Sequence, residues 1–173
     1  MFDAPTTLPP EAIRAHHDVE DFSNGRHWSL DHWLKERALA SEGLSARTYV
    51  VSDPGRPRKV IGYYAMSAAM ERRAVLPSAK LRRAMPDEIP LLLIGRLAVD
   101  AAFHGRGIGK DLLADALRRC VAASEIVGVR AILVHAIDAE AARFYGQYGF
   151  VESPLGSDIL LIPIEVVRAS AKR

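Results

Sequence analysis

The sequence has little cysteine, and this scarcity removes several classes of function. Cys120 is the single cysteine among 173 residues, so no internal disulfide can form, which fits a reducing compartment such as the cytosol. A lone thiol supplies no cysteine pair for a zinc site, and the six histidines show no ligand spacing along the chain. We therefore expect no metal site, and we expect Cys120 to behave as a small buried hydrophobe.

Long hydrophobic runs and a strong charge bias are also missing. No apolar stretch reaches the roughly 20 residues that a membrane-spanning helix requires, and residues 1–20 contain no apolar segment of the secretory type. The formal net charge is only +2 at pH 7, which does not decide between small-molecule and nucleic-acid partners. Because no repeat, low-complexity tract or linker interrupts the chain, residues 1–173 are expected to form a single domain. The single cysteine favours a cytoplasmic location for it.

Glycines, in contrast, recur at alternate positions in one short segment. Residues 89–99 form a nearly continuous apolar stretch, typical of a strand buried on both faces, and Gly105, Gly107 and Gly109 follow it where an amphipathic helical pattern begins. Without side chains there, backbone N–H groups at a helix N-terminus can approach an anionic ligand closely. The segment predicts a phosphate-binding loop, although a tight strand-to-helix connection would use the same residues.

The spacing around these glycines excludes two common phosphate-binding motifs. A dinucleotide fingerprint requires a third glycine where this chain has Lys110, and an acidic residue that ends a second strand. A P-loop requires glycine and Ser or Thr at the positions of His104 and Asp111. The segment 104–109 instead resembles the pyrophosphate loop of the GNAT acetyltransferase superfamily, whose pattern is Gln/Arg-x-x-Gly-x-Gly/Ala. Gly107 and Gly109 match this pattern, whereas His104 stands where the family has Gln or Arg.

A second segment resembles another part of the same superfamily. Residues 138–150 carry Phe144 and Tyr145 on a helical pattern, followed by a Tyr-Gly-Phe turn, as GNAT enzymes do before their last hairpin. The resemblance implies that the Tyr145 hydroxyl points at the cofactor sulfur, where a phenol can return a proton to the departing thiolate. Phe144 and Tyr148 are expected mainly to pack, because aromatic side chains at this spacing usually belong to a core. Both motifs occur in the order that the family uses, so together they are more specific than either alone.

Further segments narrow the resemblance to one GNAT subgroup. Residues 22–34, 60–65 and 89–100 are similar to the acetyltransferase toxins of bacterial type II toxin–antitoxin modules, and the likeness extends from Phe22 to about Ile162. It implies an enzyme that uses acetyl-CoA to acetylate the free α-amine of an aminoacyl-tRNA and thereby blocks translation. It also implies a homodimer, neutralised by an antitoxin that has a ribbon–helix–helix DNA-binding half.

The resemblance assigns the acetyl-CoA site to one strand end and the glycine loop. Strand amides are expected to meet the pantetheine arm and to polarise the thioester carbonyl, and the loop amides with the charges of Arg106 and Lys110 are expected to hold the pyrophosphate. The expected cofactor-binding residues are Leu97, Ala98, Val99, His104, Gly105, Arg106, Gly107, Ile108, Gly109, Lys110 and Phe144. Since an α-amine titrates at about pH 8, no strong base is required, and Tyr145 is the one expected catalytic residue.

Positive charge is concentrated in one short segment, which we call the basic segment. Its cations fall within twelve residues that have Glu71 alone at their edge: Arg72, Arg73, Lys80, Arg82 and Arg83. A segment of this kind is either an ordinary solvated loop or a contact for an RNA backbone. We expect it to bind phosphates of an aminoacyl-tRNA substrate.

Three further residues have roles that the sequence leaves open. Arg96 directly precedes the strand segment 97–99, and by strand alternation Arg96 and Ala98 are expected to face opposite to Leu97 and Val99. Arg96 either contacts the substrate or pairs with an acid, and it is included among the candidate substrate-binding residues. Trp28 and Trp33 are expected to anchor the core or an interface rather than to stack on bases.

The remaining hydrophobic patterning predicts a mixed α/β fold. Strands are expected at 47–52, 60–67, 89–99, 129–136 and 159–164. Helices are expected at 29–43, from about 107 to 128, and at 139–148. A hairpin followed by strand–helix–strand–helix–strand is a central mixed sheet flanked by helices, with a central cofactor cleft, as in the GNAT fold.

Two other functions fit the same motifs. A GNAT enzyme that acts on a small amine or on a protein N-terminus would share both the glycine loop and the tyrosine. A non-catalytic acyl-CoA-binding protein would keep the glycine loop but would have no use for Tyr145.

Overall fold

The computed structural model describes residues 5–172, which contain seven strands and six helices. The strands are β1 (Glu11–Ala12), β2 (Arg47–Asp53), β3 (Arg56–Arg72), β4 (Glu88–Val99), β5 (Ala131–His135), β6 (Val151–Ser153) and β7 (Gly156–Pro163). The helices are α1 (Trp28–Glu36), α2 (Ala38–Ser41), α3 (Ala79–Arg82), α4 (Ile108–Ser124), α5 (Ala139–Gln147) and α6 (Ile164–Ala171). Two 3₁₀ turns lie at Arg73–Val75 and Ala101–Phe103.

The strands follow the order β1-β2-β3-β4-β5-β7-β6 in a mixed sheet. Strand β2 is antiparallel to β1 and β3, and β7 is antiparallel to β5 and β6. Strands β4 and β5 are parallel, with Leu91 opposite Ala131 and Ile94 opposite Val134. A parallel pair requires a crossover connection, and α4 lies in that connection. The mixed α/β fold class is confirmed.

The chain divides into two compact units, each assembled from separate segments. The first unit comprises the described residues up to Ser67 together with Arg96–Ala116, and the second comprises Ala68–Gly95 and the described residues from Leu117 onward. Strands β3 and β4 and helix α4 each run from one unit into the other. The organisation of the chain as a single domain therefore stays a prediction.

The core of the first unit surrounds the predicted N-terminal helix. Its buried members are Ile13, Phe22, Leu34, Ala38, Val50, Val60, Tyr63 and Ala98. The helix expected over 29–43 is divided, because Arg37 takes a φ of −123°, outside the helical range, between α1 and α2. Gly43, the last residue of the predicted range, follows α2 with a φ of +77°, a conformation that favours glycine after a helix end.

The core of the second unit contains the buried side chains Val75, Leu76, Ile89, Leu91, Ala131, Leu133 and Leu161. Helix α6, which was not predicted from the sequence, begins directly after Pro163 without an intervening turn. A proline just before buried Ile164 and Val167 was the available signal, because proline favours a helix start and this spacing fits one helical face. Within residues 5–172, no helix combines the length and apolar character needed to cross a bilayer.

Candidate active site

Asp100 fixes the turn that leads from β4 to the glycine loop. Its carboxylate accepts hydrogen bonds from the N–H groups of Ser23 (3.2 Å) and Ala102 (2.9 Å), and its own N–H donates to the Ile61 carbonyl (2.8 Å). A buried carboxylate is tolerated when such donors satisfy it. Sequence reasoning missed Asp100, although an aspartate that ends a strand before a short turn is a capping signal.

Gly105 and Gly107 take backbone conformations that favour glycine. Their φ angles are +76° and +78°, and a Cβ added at either position would meet no atom within 4 Å. The backbone angle, rather than lack of space, therefore accounts for glycine at both positions. Gly109 differs from them, because it lies in the first turn of α4.

The first turn of α4 presents backbone amides next to these glycines. The N–H of Asp111 donates to the carbonyl of Gly107 at 3.1 Å, so the preceding amides stand at the helix N-terminus, where no intrahelical acceptor exists. The exposed Arg106 places its guanidinium 4.9 Å from the centre of the Phe103 ring, and Lys110 is also exposed. Amide donors, the helix dipole and two cations together suit a pyrophosphate.

His104 joins the strand end to the glycine loop. Its Nε2 lies 2.7 Å from the carbonyl oxygen of Val99. Because a carbonyl only accepts, Nε2 carries the hydrogen in this contact. The contact gives His104 a structural role where the family uses Gln or Arg, and its contribution to phosphate binding stays a prediction.

A glycine on β3 lets α4 approach the β2–β3 hairpin closely. A Cβ at Gly62 would lie 3.1 Å from Leu112 Cδ1 and 3.3 Å from Ile108 Cγ2. Farther along the helix, the Tyr64 hydroxyl donates to Asp115 Oδ2 at 2.6 Å in the interior. These contacts position the N-terminal turn of α4 and therefore its amides.

The end of β4 alternates as the sequence predicts. Ala98 is buried in the core of the first unit, and the Arg96 guanidinium lies 4.4 Å from the centre of the Trp33 ring, which packs against that core. Leu97 and Val99 are half-buried. Since the Ala98 side chain is packed in the core, any cofactor contact there involves its backbone. The aromatic face of Trp33 holds Arg96, and a substrate contact of Arg96 stays a prediction.

Tyr145 lies on α5 among aromatic rings of the second unit. Its ring centre is 5.2 Å from that of Phe144 and 5.5 Å from that of Phe150, and the residue is only 6 % exposed. Burial raises the pKa of the Tyr145 phenol above its usual value, because the phenolate would lose hydration. The phenol therefore stays protonated at physiological pH and can donate a hydrogen bond to a developing thiolate.

Local signals define both ends of α5. The Asp138 carboxylate accepts a hydrogen bond from the Ala141 N–H at 2.7 Å, which caps the helix, and Gly149 follows its end with a φ of +93°. The ring of Tyr148 packs on that of Phe144, with centres 5.2 Å apart. The packing role predicted for both rings agrees with this contact, and cofactor binding by Phe144 stays a prediction.

The basic segment is more structured than a solvated loop. Arg72 is the last residue of β3, and a 3₁₀ turn follows it. The Ser78 hydroxyl then caps α3 by accepting a hydrogen bond from the Leu81 N–H at 3.3 Å. The segment therefore presents its cations from a defined backbone.

Two arginines of the basic segment support that backbone. Arg73 donates to the Met85 carbonyl at 3.0 Å, and the half-buried Arg82 donates to the Leu76 carbonyl at 2.7 Å. Sequence reasoning missed this structural role, because the acceptors are carbonyls that composition does not reveal. The exposed cations of the segment are Arg72, Arg73, Lys80 and Arg83.

Arg130 supports the basic segment from outside it. Its guanidinium donates to the Leu81 carbonyl at 3.4 Å and to Glu165 Oε2 at 2.8 Å. Partial burial opposes ionisation of the Glu165 carboxyl, but the hydrogen bonds from Arg130 and the backbone, together with the charges of Arg130 and Arg168, outweigh it and lower its pKa. Arg130 thus links α3 to the start of α6, a connection that sequence reasoning did not anticipate.

Residues that the sequence analysis set aside have structural roles. Ligand atoms of Glu11, His16 and His17 lie within 4.8 Å of one another, which the sequence spacing did not indicate. However, His17 Nδ1 accepts from the Arg14 N–H at 2.9 Å and Nε2 lies 2.7 Å from Glu11 Oε1, so both ring nitrogens are engaged. Cys120 is buried, and burial raises the pKa of its thiol to about 12, as suits an unreactive side chain.

The candidate residues are distributed over both units. The strand end, the glycine loop and Arg96 belong to the first unit, whereas Phe144, Tyr145 and the basic segment belong to the second. Amides at a helix N-terminus, left-handed glycines before it and a buried protonated tyrosine are the features that the GNAT resemblance assigns to acetyl transfer. Residues 45–152 match the acetyltransferase (GNAT) domain, and the chain belongs to this family.

Within the GNAT family, the chain is similar to a protein named as a tRNA-acetylating toxin and to a solved structure of AtaT. The chain is 42 % identical over 161 residues to a tRNA-acetylating toxin from Mycobacterium tuberculosis, covering 92 % of this chain and 94 % of that protein. The structure of AtaT complexed with acetyl-methionyl-tRNAfMet aligns with a TM-score of 0.86 at 27 % identity, over 94 % of this chain and 98 % of that chain. The structure of AtaTR bound with AcCoA aligns with a TM-score of 0.81 at 27 % identity, over 95 % and 98 %.

Proposed function

We propose that this GNAT acetyltransferase is a toxin that transfers the acetyl group of acetyl-CoA to the α-amine of an aminoacyl-tRNA. The observation that carries the proposal is the 42 % identity to a tRNA-acetylating toxin over 92 % of the chain. The AtaT structure that contains an acetylated methionyl-tRNA supports the same reaction. An acetylated amine is an amide, whose nitrogen cannot attack a peptidyl ester, so the modified tRNA blocks translation.

The residues of the first unit fit acetyl-CoA as the co-substrate. Left-handed Gly105 and Gly107 and the amides that begin α4 provide donors for a pyrophosphate, and Arg106 and Lys110 provide positive charge. The ladder between β4 and β5 runs from Leu91 to Ile94, before the strand segment 97–99. We assign the amides of that segment to the pantetheine arm and to the thioester carbonyl.

Tyr145 is the proposed acid of the transfer. The neutral amine attacks the thioester carbonyl carbon, the new C–N bond forms, and the C–S bond breaks. The amine then loses a proton to solvent, and the departing sulfur receives a hydrogen bond and then a proton from the phenol, which solvent reprotonates. Because an α-amine titrates at about pH 8, a useful fraction is neutral without a dedicated base.

The raised pKa of Tyr145 has a testable consequence for the pH profile. We expect kcat to rise with pH through about 8, where the substrate amine loses its proton, and then to level. The phenol remains protonated beyond its ordinary range, so it produces no alkaline fall below about pH 10. Single-turnover rates between pH 6 and 9.5 measure this profile. An alkaline fall that is present in the wild type and absent from Tyr145→Phe contradicts it.

The basic segment is proposed to bind phosphates of the RNA substrate. The exposed Lys80 and Arg83 lie on and just after α3. Arg82 ties this helix to the Leu76 carbonyl before it, and Arg130 donates to the Leu81 carbonyl within it. Arg96, held on the Trp33 ring, is proposed to contact the substrate near the end of β4. A small amine would require none of these cations.

Replacing Lys80 and Arg83 by alanine is expected to make RNA binding less dependent on salt. Each lost phosphate contact should reduce the slope of log affinity against log salt by about 0.7–1. Titrations of charged tRNA at several salt concentrations give this slope, and the double variant should also be less toxic when expressed. Arg14→Ala, which removes an exposed cation outside the segment, is the control. An unchanged slope in the double variant removes the segment from the RNA interface.

The partner and the compartment follow from this activity. We propose that the chain acts in the cytoplasm, where charged tRNA is used, as a homodimer neutralised by an antitoxin of ribbon–helix–helix type. The supporting observation is the similarity to a protein named as a toxin. Co-expression with the gene adjacent to this one should restore growth if that gene encodes the antitoxin.

Inducible expression tests the proposed function in cells. The wild type should arrest growth, and its addition to a cell-free translation reaction should stop synthesis only when acetyl-CoA is present. Tyr145→Phe, produced at the same level, should do neither. Growth arrest that persists in Tyr145→Phe would mean that toxicity does not depend on acetyl transfer.

A further inference from the structure

Helix α1 exposes a stacked pair of aromatic rings. Trp28 is 72 % exposed, and its ring centre lies 4.5 Å from that of the exposed His32, with the rings inclined by 24°. Trp28 is the first residue of α1 and His32 follows one turn later. The sequence favoured a core or interface anchor over a base-stacking role for both tryptophans. Trp33 packs on the core of the first unit, whereas the exposed Trp28 indole anchors no core, which leaves an interface or a base contact for it.

A buried asparagine fixes the start of α1. The Asn24 carboxamide oxygen accepts hydrogen bonds from the N–H groups of Arg26 (3.0 Å) and His27 (2.8 Å). Its Nδ2 donates to Asp31 Oδ1 at 2.6 Å, and its backbone N–H donates to the same oxygen at 3.0 Å. The stacked pair therefore stands on a backbone with a defined conformation.

The same loop is attached to the turn that precedes the glycine loop. The Ala101 N–H donates to the Ser23 carbonyl at 2.8 Å, and the Ser23 N–H donates to Asp100. Gly25 approaches this turn so closely that a Cβ there would lie 3.2 Å from Ala101 Cβ. Trp28 is thus three residues from Gly25, which packs directly against the turn that precedes the glycine loop.

Basic side chains outnumber acidic ones among the exposed charged residues of the segment 26–37, which carries the stacked pair. Arg26, Lys35 and Arg37 are exposed, and Glu36 is the acidic side chain exposed among them. The remaining carboxylate of α1, Asp31, is buried and accepts hydrogen bonds from Asn24. Flat aromatic faces among cations complement a nucleic acid, whose bases stack and whose phosphates are anionic.

We propose that Trp28 and His32 form a stacking platform for an unpaired nucleobase of the RNA substrate, an inference that rests on the proposed function. The amino acid of a charged tRNA is carried on an unpaired 3′ end, so unpaired bases accompany the reacting amine. An exposed indole stacks on any base, because every base has a flat π face. The platform therefore positions the 3′ end without selecting among tRNA sequences.

Removing the indole tests the platform. Trp28→Ala should lower kcat/KM for charged tRNA by about tenfold or more, with the affinity for acetyl-CoA unchanged by calorimetry. Trp28→Phe keeps a flat ring and should stay within about threefold of the wild type. Leu44→Ala, which removes an apolar side chain that is 87 % exposed, is the matched control and should have no effect.

Fluorescence reports the stacking itself. Uncharged tRNA should quench the tryptophan emission of the wild type without acetyl-CoA, because a base stacks on Trp28. The quenching should be lost in Trp28→Phe, which still contains Trp33. A role of Trp28 in folding alone would not produce this quenching.

The outcomes of these experiments distinguish a failure of the stacking platform from a failure of the proposed function. If the wild type acetylates charged tRNA and Trp28→Ala does so equally well, the platform is wrong and the proposed function stands. A weaker affinity for acetyl-CoA would assign the indole to the adenine of that co-substrate, and lost self-association or antitoxin binding with normal tRNA kinetics would assign it to a protein interface. Either result overturns the platform. A wild type that does not acetylate charged tRNA refutes both.

Discussion

Tyr145→Phe is expected to lower kcat by about 10²–10⁴-fold, the range typical for loss of a general acid. The substitution removes the hydroxyl and keeps the ring, which packs between Phe144 and Phe150. The fold and the affinity for acetyl-CoA should therefore be unchanged. Single-turnover acetylation of charged tRNA measures the loss, and calorimetry measures the affinity.

A neighbouring tyrosine provides the matched control for this variant. Tyr148 is half-buried, and its ring packs on Phe144 at the end of the same segment. Tyr148→Phe should retain nearly full activity, because its hydroxyl has no proposed part in the transfer. If kcat of Tyr145→Phe falls less than threefold, water or another group protonates the sulfur and the role of Tyr145 is wrong.

Replacing Gly107 by valine is expected to weaken acetyl-CoA binding by about a hundredfold or more. A branched residue is strained at a φ of +78°, so the amides that follow should turn away from the pyrophosphate. Each hydrogen bond to a charged group contributes about 1.5–3 kcal/mol, and losing two of them produces an effect of this size. The fold should persist, since a Cβ at this position meets no atom within 4 Å.

The control for Gly107→Val is a glycine without a strained backbone. A Cβ at Gly128 also meets no atom within 4 Å, and its φ lies outside the left-handed region. Gly128→Val should bind acetyl-CoA as the wild type does. Calorimetry on both variants, with circular dichroism to confirm folding, makes the comparison. Unchanged affinity in a folded Gly107→Val variant would refute the pyrophosphate assignment.

Periodic patterns in the sequence account for the elements that were predicted well. Apolar residues at helical spacing predicted a helix from about 107, which the structure places at Ile108–Ser124. The apolar run at 89–99 predicted β4, and the strand patterns at 47–52 and 60–67 predicted the β2–β3 hairpin. Such patterns reflect which side chains of an element are buried, and the spacing of apolar residues along the sequence reveals this. They did not predict that β3 continues to Arg72, because its later residues are less apolar.

Contacts between distant residues account for what the sequence could not predict. Ser23 and Asp100 are separated by 77 positions, yet their hydrogen bond holds the turn before the glycine loop. The close packing that Gly62 permits also depends on a helix 46 to 50 residues later. Similarly, Arg82 differs from the exposed cations of the basic segment because its guanidinium donates to the Leu76 carbonyl, and this hydrogen bond is evident only from the folded structure. No local pattern carries these relations.

Transfer of labelled acetyl to charged tRNA tests the central claim most directly. The purified enzyme and labelled acetyl-CoA are incubated with one acceptor in each reaction: total charged tRNA, deacylated tRNA, a peptide or a polyamine. We predict that label enters only the charged tRNA, and that mild alkaline hydrolysis releases it as an N-acetyl amino acid. Label that never enters charged tRNA but readily enters the peptide or the polyamine would contradict the proposal and leave a GNAT acetyltransferase of another amine.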